Sequence, residues 1–221
     1  MGEVFCRRMV LAWAVTVLIL AACTTTAPKE KGNVWQAALE GELAVVNRLI
    51  SNGADINARD DGGATALMFA SLNGHGDVVT ALLDKGADVN ASDKNGATAL
   101  MFASLNGHAD VVKTLLDKGA NANAKSSIGW TALMFAAFKD HDEAVKALLD
   151  KGADANAKSN IGWTALMFAS LNGHTEVVTA LIEKGADINE KDDYGLTALK
   201  VASQNGHREV SALLLRNGAA K

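Results

Sequence analysis

Proline is almost missing from this chain: Pro28 is the one proline in 221 residues. With 20 glycines present, the turns must be made by glycine. Cysteine is scarce as well. Cys6 and Cys23 both lie near the N-terminus, so no disulfide framework holds the remaining length together. Excess positive charge is also lacking. Lys and Arg number 21 against 25 Asp and Glu, a formal net charge of −4. The general electrostatic attraction that draws proteins to nucleic acid is therefore missing. Composition also argues against disorder, because 49% of the residues are apolar.

The first apolar run is too short to span a membrane. It covers Met9 to Ala22, 14 residues that follow Arg7 and Arg8. As a helix it would reach about 21 Å, against a hydrocarbon core of about 30 Å. The basic start, short apolar run and small residues at its end fit a secretory signal peptide over residues 1–22. Leu20-Ala21-Ala22-Cys23 resembles the lipobox of bacterial lipoproteins. The resemblance implies cleavage before Cys23, a lipid on that cysteine, and a membrane-tethered protein on the periplasmic side. Thr24 rather than Asp follows the cysteine, which in such lipoproteins implies the outer membrane. An uncleaved N-terminal anchor is the alternative. Residues 23–31 then supply the lipidated cysteine and a polar linker.

From about residue 32 to 221 the chain repeats itself. Thr65, Thr98, Thr131, Thr164 and Thr197 are spaced by 33, and so are Gly53, Gly86, Gly119, Gly152, Gly185 and Gly218. Six units result. In each, the Thr is a candidate N-cap. Ala66 to Asn73 reads as a short first helix that Gly74 stops. Asp77 opens a second helix and Lys85 closes it, each suited to the helix dipole. Val78, Val79, Leu82 and Leu83 give that helix an apolar face. Gly86 fits the left-handed residue that follows. A two-helix unit of this size cannot bury its apolar face alone and must stack on its neighbours.

Within the 33-residue period recur a Gly-x-Thr-x-Leu opening, a Gly-His between helices and a Gly-Ala-Asp-x-Asn close. Together these resemble ankyrin repeats. The resemblance implies an all-α repeat solenoid of six stacked helix–turn–helix units with hairpin-like turn tips. There are departures. The family's Thr-Pro-Leu-His is here Thr-Ala-Leu-Met in units two to five. Met68, Met101, Met134 and Met167 therefore replace a histidine, and a thioether is expected to fill the seam between units. The end units look like caps. Gln36 stands where other units have Phe, while Lys200 and Ser211 replace Met and Val.

No motif for catalysis, phosphate binding or a cofactor is visible. The five histidines, His75, His108, His141, His174 and His207, share one repeat position. Neighbouring helices lie roughly 8–10 Å apart, too far for adjacent histidines to share one ion at about 2 Å. They read as residues that hold the helix–helix turn, and no metal site is expected. Ser71, Ser104 and Ser170 have no paired base. A non-catalytic protein follows, with no nucleic-acid or small-molecule partner evident.

Ankyrin-like proteins bind other proteins through the turn tips and the exposed side of the first helix. The resemblance therefore directs attention to positions that the repeat itself does not need. Ahead of the N-cap Thr stand Ala64, Ala97, Trp130, Trp163 and Leu196; at the tips stand Gly62, Asn95, Ile128, Ile161 and Tyr194. Near the end of the first helix, units four and five carry Phe138-Lys139 and Leu171-Asn172. Large apolar side chains thus gather in units four to six, and the expected partner-binding set is Ile128, Trp130, Phe138, Lys139, Ile161, Trp163, Leu171, Asn172 and Tyr194. The tryptophans have a second reading: Trp130 with Phe135, and Trp163 with Phe168, have the spacing of a hydrophobic staple. The functional expectation is a tethered periplasmic scaffold or inhibitor that binds a protein. The alternatives are an exported effector acting on host proteins and an envelope oxidative-stress factor supporting a periplasmic enzyme.

Overall fold

A computed structural model describes residues 33–220. The signal peptide, Cys23 and linker expected over residues 1–31 lie outside the described residues. Among the described residues twelve helices make six pairs. In unit one these are α1 (Val34–Leu39) and α2 (Leu43–Ser51), and in unit two α3 (Ala66–Asn73) and α4 (Gly76–Asp84). Unit three has α5 (Ala99–Leu105) and α6 (Ala109–Asp117), and unit four α7 (Ala132–Phe138) and α8 (Asp142–Asp150). Unit five has α9 (Ala165–Asn172) and α10 (Thr175–Glu183), and unit six α11 (Ala198–Gln204) and α12 (Arg208–Arg216). Each first helix packs on the first helices beside it and on its own second helix. No strand is present among the described residues; Ser92 and Thr98 form an isolated antiparallel bridge.

The two helices of a unit bury different amounts of surface, and their sequences say why. In α5 every residue from Ala99 to Leu105 is buried. A helix that is apolar all round is stable only where it is covered all round, and the first helices form that central row. In α6 the buried residues are Val111, Val112, Leu115 and Leu116, one helical face. The four methionines are at most 2% exposed and lie within the continuous core.

Helix ends follow from local chemistry. The hydroxyls of Thr98, Thr131, Thr164 and Thr197 accept from the N–H three residues on, each at 3.4 Å. Thr65 adopts the same extended backbone without that bond. Gly86 closes α4 at φ +92°, its N–H on Leu83 O at 3.1 Å while Ala87 N–H reaches Leu82 O at 3.0 Å.

Three ladders tie one unit to the next. Asn57, Asn90, Asn123, Asn156 and Asn189 each accept a backbone N–H 31 residues later, at 2.7–2.8 Å. Each histidine ring places Nε2 against a carbonyl 36 residues earlier, from His75 on Leu39 to His207 on Leu171, at 2.9–3.2 Å. Lys118, Lys151 and Lys184 reach Asp84, Asp117 and Asp150 on the outer surface at 2.6–2.7 Å. The histidines thus do more than hold their own turn, because each bonds the preceding unit.

Unit six carries polar residues where unit five is apolar. Lys200 is exposed at the position where Met167 is buried. Ser203 and Ser211 meet hydroxyl to hydroxyl at 3.3 Å, where unit five has the buried Ser170 and Val178. No helix among the described residues is long and apolar enough to cross a membrane.

Candidate functional site

Units two to six each open with a tight turn that projects ahead of the first helix. In unit four Ser126 N–H bonds Trp130 O at 2.9 Å and Gly129 N–H bonds Ser126 O at 2.8 Å. Gly129 sits at φ +76°, and a Cβ there would lie 2.6 Å from the Asn160 nitrogen. Only glycine satisfies both the backbone and the next unit. Asp or Ser closes each turn from inside. Asp93 Oδ1 accepts from Asn95 and Ala97 at 2.8 Å. Ser126 Oγ accepts from Trp130 at 3.2 Å, and Ser159 Oγ from Trp163 at 3.1 Å.

The tips are hydrogen-bonded edge to edge. Lys94 N–H bonds Gly62 O, Ser127 bonds Asn95 O, Asn160 bonds Ile128 O and Asp193 bonds Ile161 O, at 2.8–3.5 Å. Gly62, Asn95, Ile128, Ile161 and Tyr194 therefore occupy the same place on successive tips of one backbone-bonded row. Cations reinforce it. Lys125 Nζ donates to Lys158 O at 2.8 Å, and Lys158 Nζ to Lys191 O at 3.2 Å.

Sequence-expected residues separate into two groups. Ile161 is 38% exposed and Tyr194 is 70% exposed. Ile128 and Phe138 are half-buried, and Lys139 is exposed with its ammonium 5.9 Å from the Phe138 ring centroid. Trp130 and Trp163, in contrast, are each 2% exposed, and Leu171 is 4% exposed. These three do not line the surface. Trp130 packs on Phe135 of its own helix at 4.9 Å and on Phe168 of the next unit at 4.3 Å between ring centroids. Trp163 meets Phe168 at 5.1 Å, and its indole N–H reaches Asp192 Oδ2 at 2.9 Å. The staple contact is present, extended across the seam into the following unit. Asn172 is also engaged, its Nδ2 donating to Phe138 O at 3.0 Å.

Asp192 is buried, as are Ser126 and Ser159. Asp192 therefore faces the tryptophan beneath it and does not colour the outer surface. Asp93 is half-buried, and burial pushes its carboxyl above the usual range, with the Asp60 charge adding to the effect.

One irregularity escaped the sequence reading. Asp140 stands at φ +64° where other units have Gly41, Gly74, Gly107, Gly173 and Gly206. Its carboxylate lies 3.4 Å from Nδ1 of His174. A Cβ at Gly74 or Gly107 would come within 2.5 Å of the stacked histidine. At Asp140 a Cβ is present, and the His174–Phe138 O distance is 3.2 Å against 2.9–3.0 Å at the other four seams. The signal was visible as Asp at a glycine position.

Ser71, Ser104 and Ser170 are fully buried, and their hydroxyls have no hydrogen-bond partner. No group of three or more His, Cys, Asp or Glu is arranged to hold a metal ion among the described residues.

The family model for ankyrin repeats in three copies matches residues 34–126, 92–159 and 133–221. The chain is also similar to the mitochondrial disaggregase of Bos taurus, with 38% identity over 61 residues. That match covers 27% of this chain and 9% of the disaggregase. With matches that run through all six units, this chain belongs to the ankyrin-repeat family.

Proposed function

We propose that the protein is a non-catalytic binding module, tethered to the bacterial envelope through Cys23, that holds another protein on the turn tips of units four to six. Ankyrin repeats mark a protein–protein interaction module. The observation that carries the choice of surface is the position of Ile161 and Tyr194. Among the described residues three large apolar side chains are exposed, Ile161, Tyr194 and Leu215, and the first two are neighbours on one backbone-bonded row. Apolar groups held outward on a rigid support are the usual anchors of an interface. Ile128, Phe138 and Lys139 extend the patch along unit four. Trp130, Trp163 and Leu171 support it from below.

Two experiments test the two halves. Cys23→Ser should move the protein from the membrane to the soluble fraction, and unchanged fractionation removes the lipid tether. Affinity purification from envelope extracts should recover discrete partners with the wild-type protein and lose them with Ile161→Ser/Tyr194→Ser. Equal recovery by both proteins removes the tip row as the contact surface.

A further inference from the structure

We infer that the segment held on this row is an acidic chain carrying apolar side chains, a reading that rests on the protein-binding role proposed above. The chain as a whole is negative, at −4, yet the tip face of units three to five is not. Its charged groups are Lys94, Lys125 and Lys158 with Asp93, and Lys139 and Asp140 stand at the far end of α7. Neither carboxylate faces outward unengaged. Asp93 accepts the backbone N–H groups of its own turn, and Asp140 lies against His174 at 3.4 Å. Of the ammonium groups, Lys158 pairs with Glu190 at 2.8 Å. Lys94, Lys125 and Lys139 make no ion pair among the described residues.

Acidic side chains stand elsewhere. Asp61 marks the tip of unit two, and Asp193 stands beside Tyr194 with Oδ1 2.8 Å from where a Cβ on Gly162 would lie, so the cationic stretch ends at unit five. The outer surface carries Asp84, Asp117 and Asp150, each already paired with a lysine of the next unit. Three ammonium groups without carboxylate partners thus flank the half-buried Ile128 and Phe138 and the exposed Ile161. An extended segment crossing the row would set apolar side chains on Ile128, Ile161 and Tyr194. Its carboxylates would meet Lys94, Lys125 and Lys139. A basic segment would bring like charges together on the same path, which is unfavourable and slows encounter.

Random-peptide display on the full-length chain in detergent micelles tests this without assuming a sequence. Selected peptides should be enriched in Asp and Glu interleaved with Leu, Ile and Phe. Their affinity should fall about ten-fold or more with Lys125→Glu/Lys139→Glu, and as much with Ile161→Ser/Tyr194→Ser. Circular dichroism should show both variants folded; for an unfolded variant, Lys125→Ala/Lys139→Ala replaces the charge reversal. Peptides that require Ile161 and Tyr194 but are neutral or basic, or that ignore the lysine substitutions, overturn the acidic partner alone. An empty selection, or peptides indifferent to Ile161 and Tyr194, overturns the binding surface itself.

Discussion

The indole N–H of Trp163 donates to Oδ2 of Asp192 at 2.9 Å, across the seam between units five and six. The other carboxylate oxygen, Oδ1, accepts the backbone N–H groups of Tyr194 and Leu196 at 2.9 and 2.8 Å. One buried carboxylate therefore joins a core aromatic ring to the turn that presents the most exposed apolar side chain.

Removing the ring should cost far more than removing its donor. Trp163→Ala takes a fully buried indole from between two units and should destabilise by about 3–5 kcal/mol. Trp163→Phe keeps much of the packing and removes the N–H from a buried carboxylate, for about 1–3 kcal/mol. Urea unfolding of both variants gives the comparison; equal losses would show that the N–H bond to Asp192, lost in both, accounts for Trp163.

Asp140 is held in a conformation that costs an L-residue about 1–2 kcal/mol. Its contact with His174 is half-exposed at the carboxylate, and such exposed polar contacts return about 0–1 kcal/mol. Asp140→Gly should therefore raise stability by roughly 0.5–1 kcal/mol. The midpoint of chemical denaturation should move upward with an unchanged slope. A downward shift would mean that the contact with His174 outweighs the backbone cost.

Ser71, Ser104 and Ser170 bury hydroxyls without partners, while unit four has the buried Ala137 at the equivalent place. Ser104→Ala should therefore be neutral or stabilising by up to about 1 kcal/mol. Thermal unfolding decides it, and a loss of stability would reveal a hydrogen bond to that hydroxyl.

The fold was legible because six copies of one pattern repeat the same information. Glycine, threonine and the apolar face of the second helix recur in phase, and local rules place each helix end. The candidate surface was only half legible. Comparing equivalent positions flagged Trp130 beside Ile128 and Trp163 beside Ile161, but does not say which way a side chain turns. Direction is set between units: Phe168 lies 4.3 Å from Trp130, and Asp192 accepts from Trp163. The two partners are 38 and 29 residues along the chain, outside the unit being read. The bond from His75 to Leu39 O was missed for the same reason.

Acid should weaken the array in a window set by His141. Burial lowers the affinity of this ring for a proton, with Lys139 and His108 adding to the effect. The unfolded chain then takes up a proton near pH 6.5 while the folded chain declines it, so stability falls as pH drops through and below that value. Asp93 acts oppositely. Its raised carboxyl pKa gives a contribution present below the unfolded value and lost as pH rises through the folded one. His141→Gln should flatten the decline between pH 7 and 5, and Asp93→Asn should remove the gain at the acid end. Denaturation midpoints across pH 3–8 separate the two; a profile unchanged in His141→Gln assigns the decline to other groups.

Site-specific photocrosslinking in cells bears most directly on the binding face. A photoreactive residue at Ile161 or Tyr194 should give the same discrete adduct with a second protein, and one at Asp110 on the outer surface should give none. No adduct from either tip position, or an equal yield from Asp110, would contradict binding through the tip row.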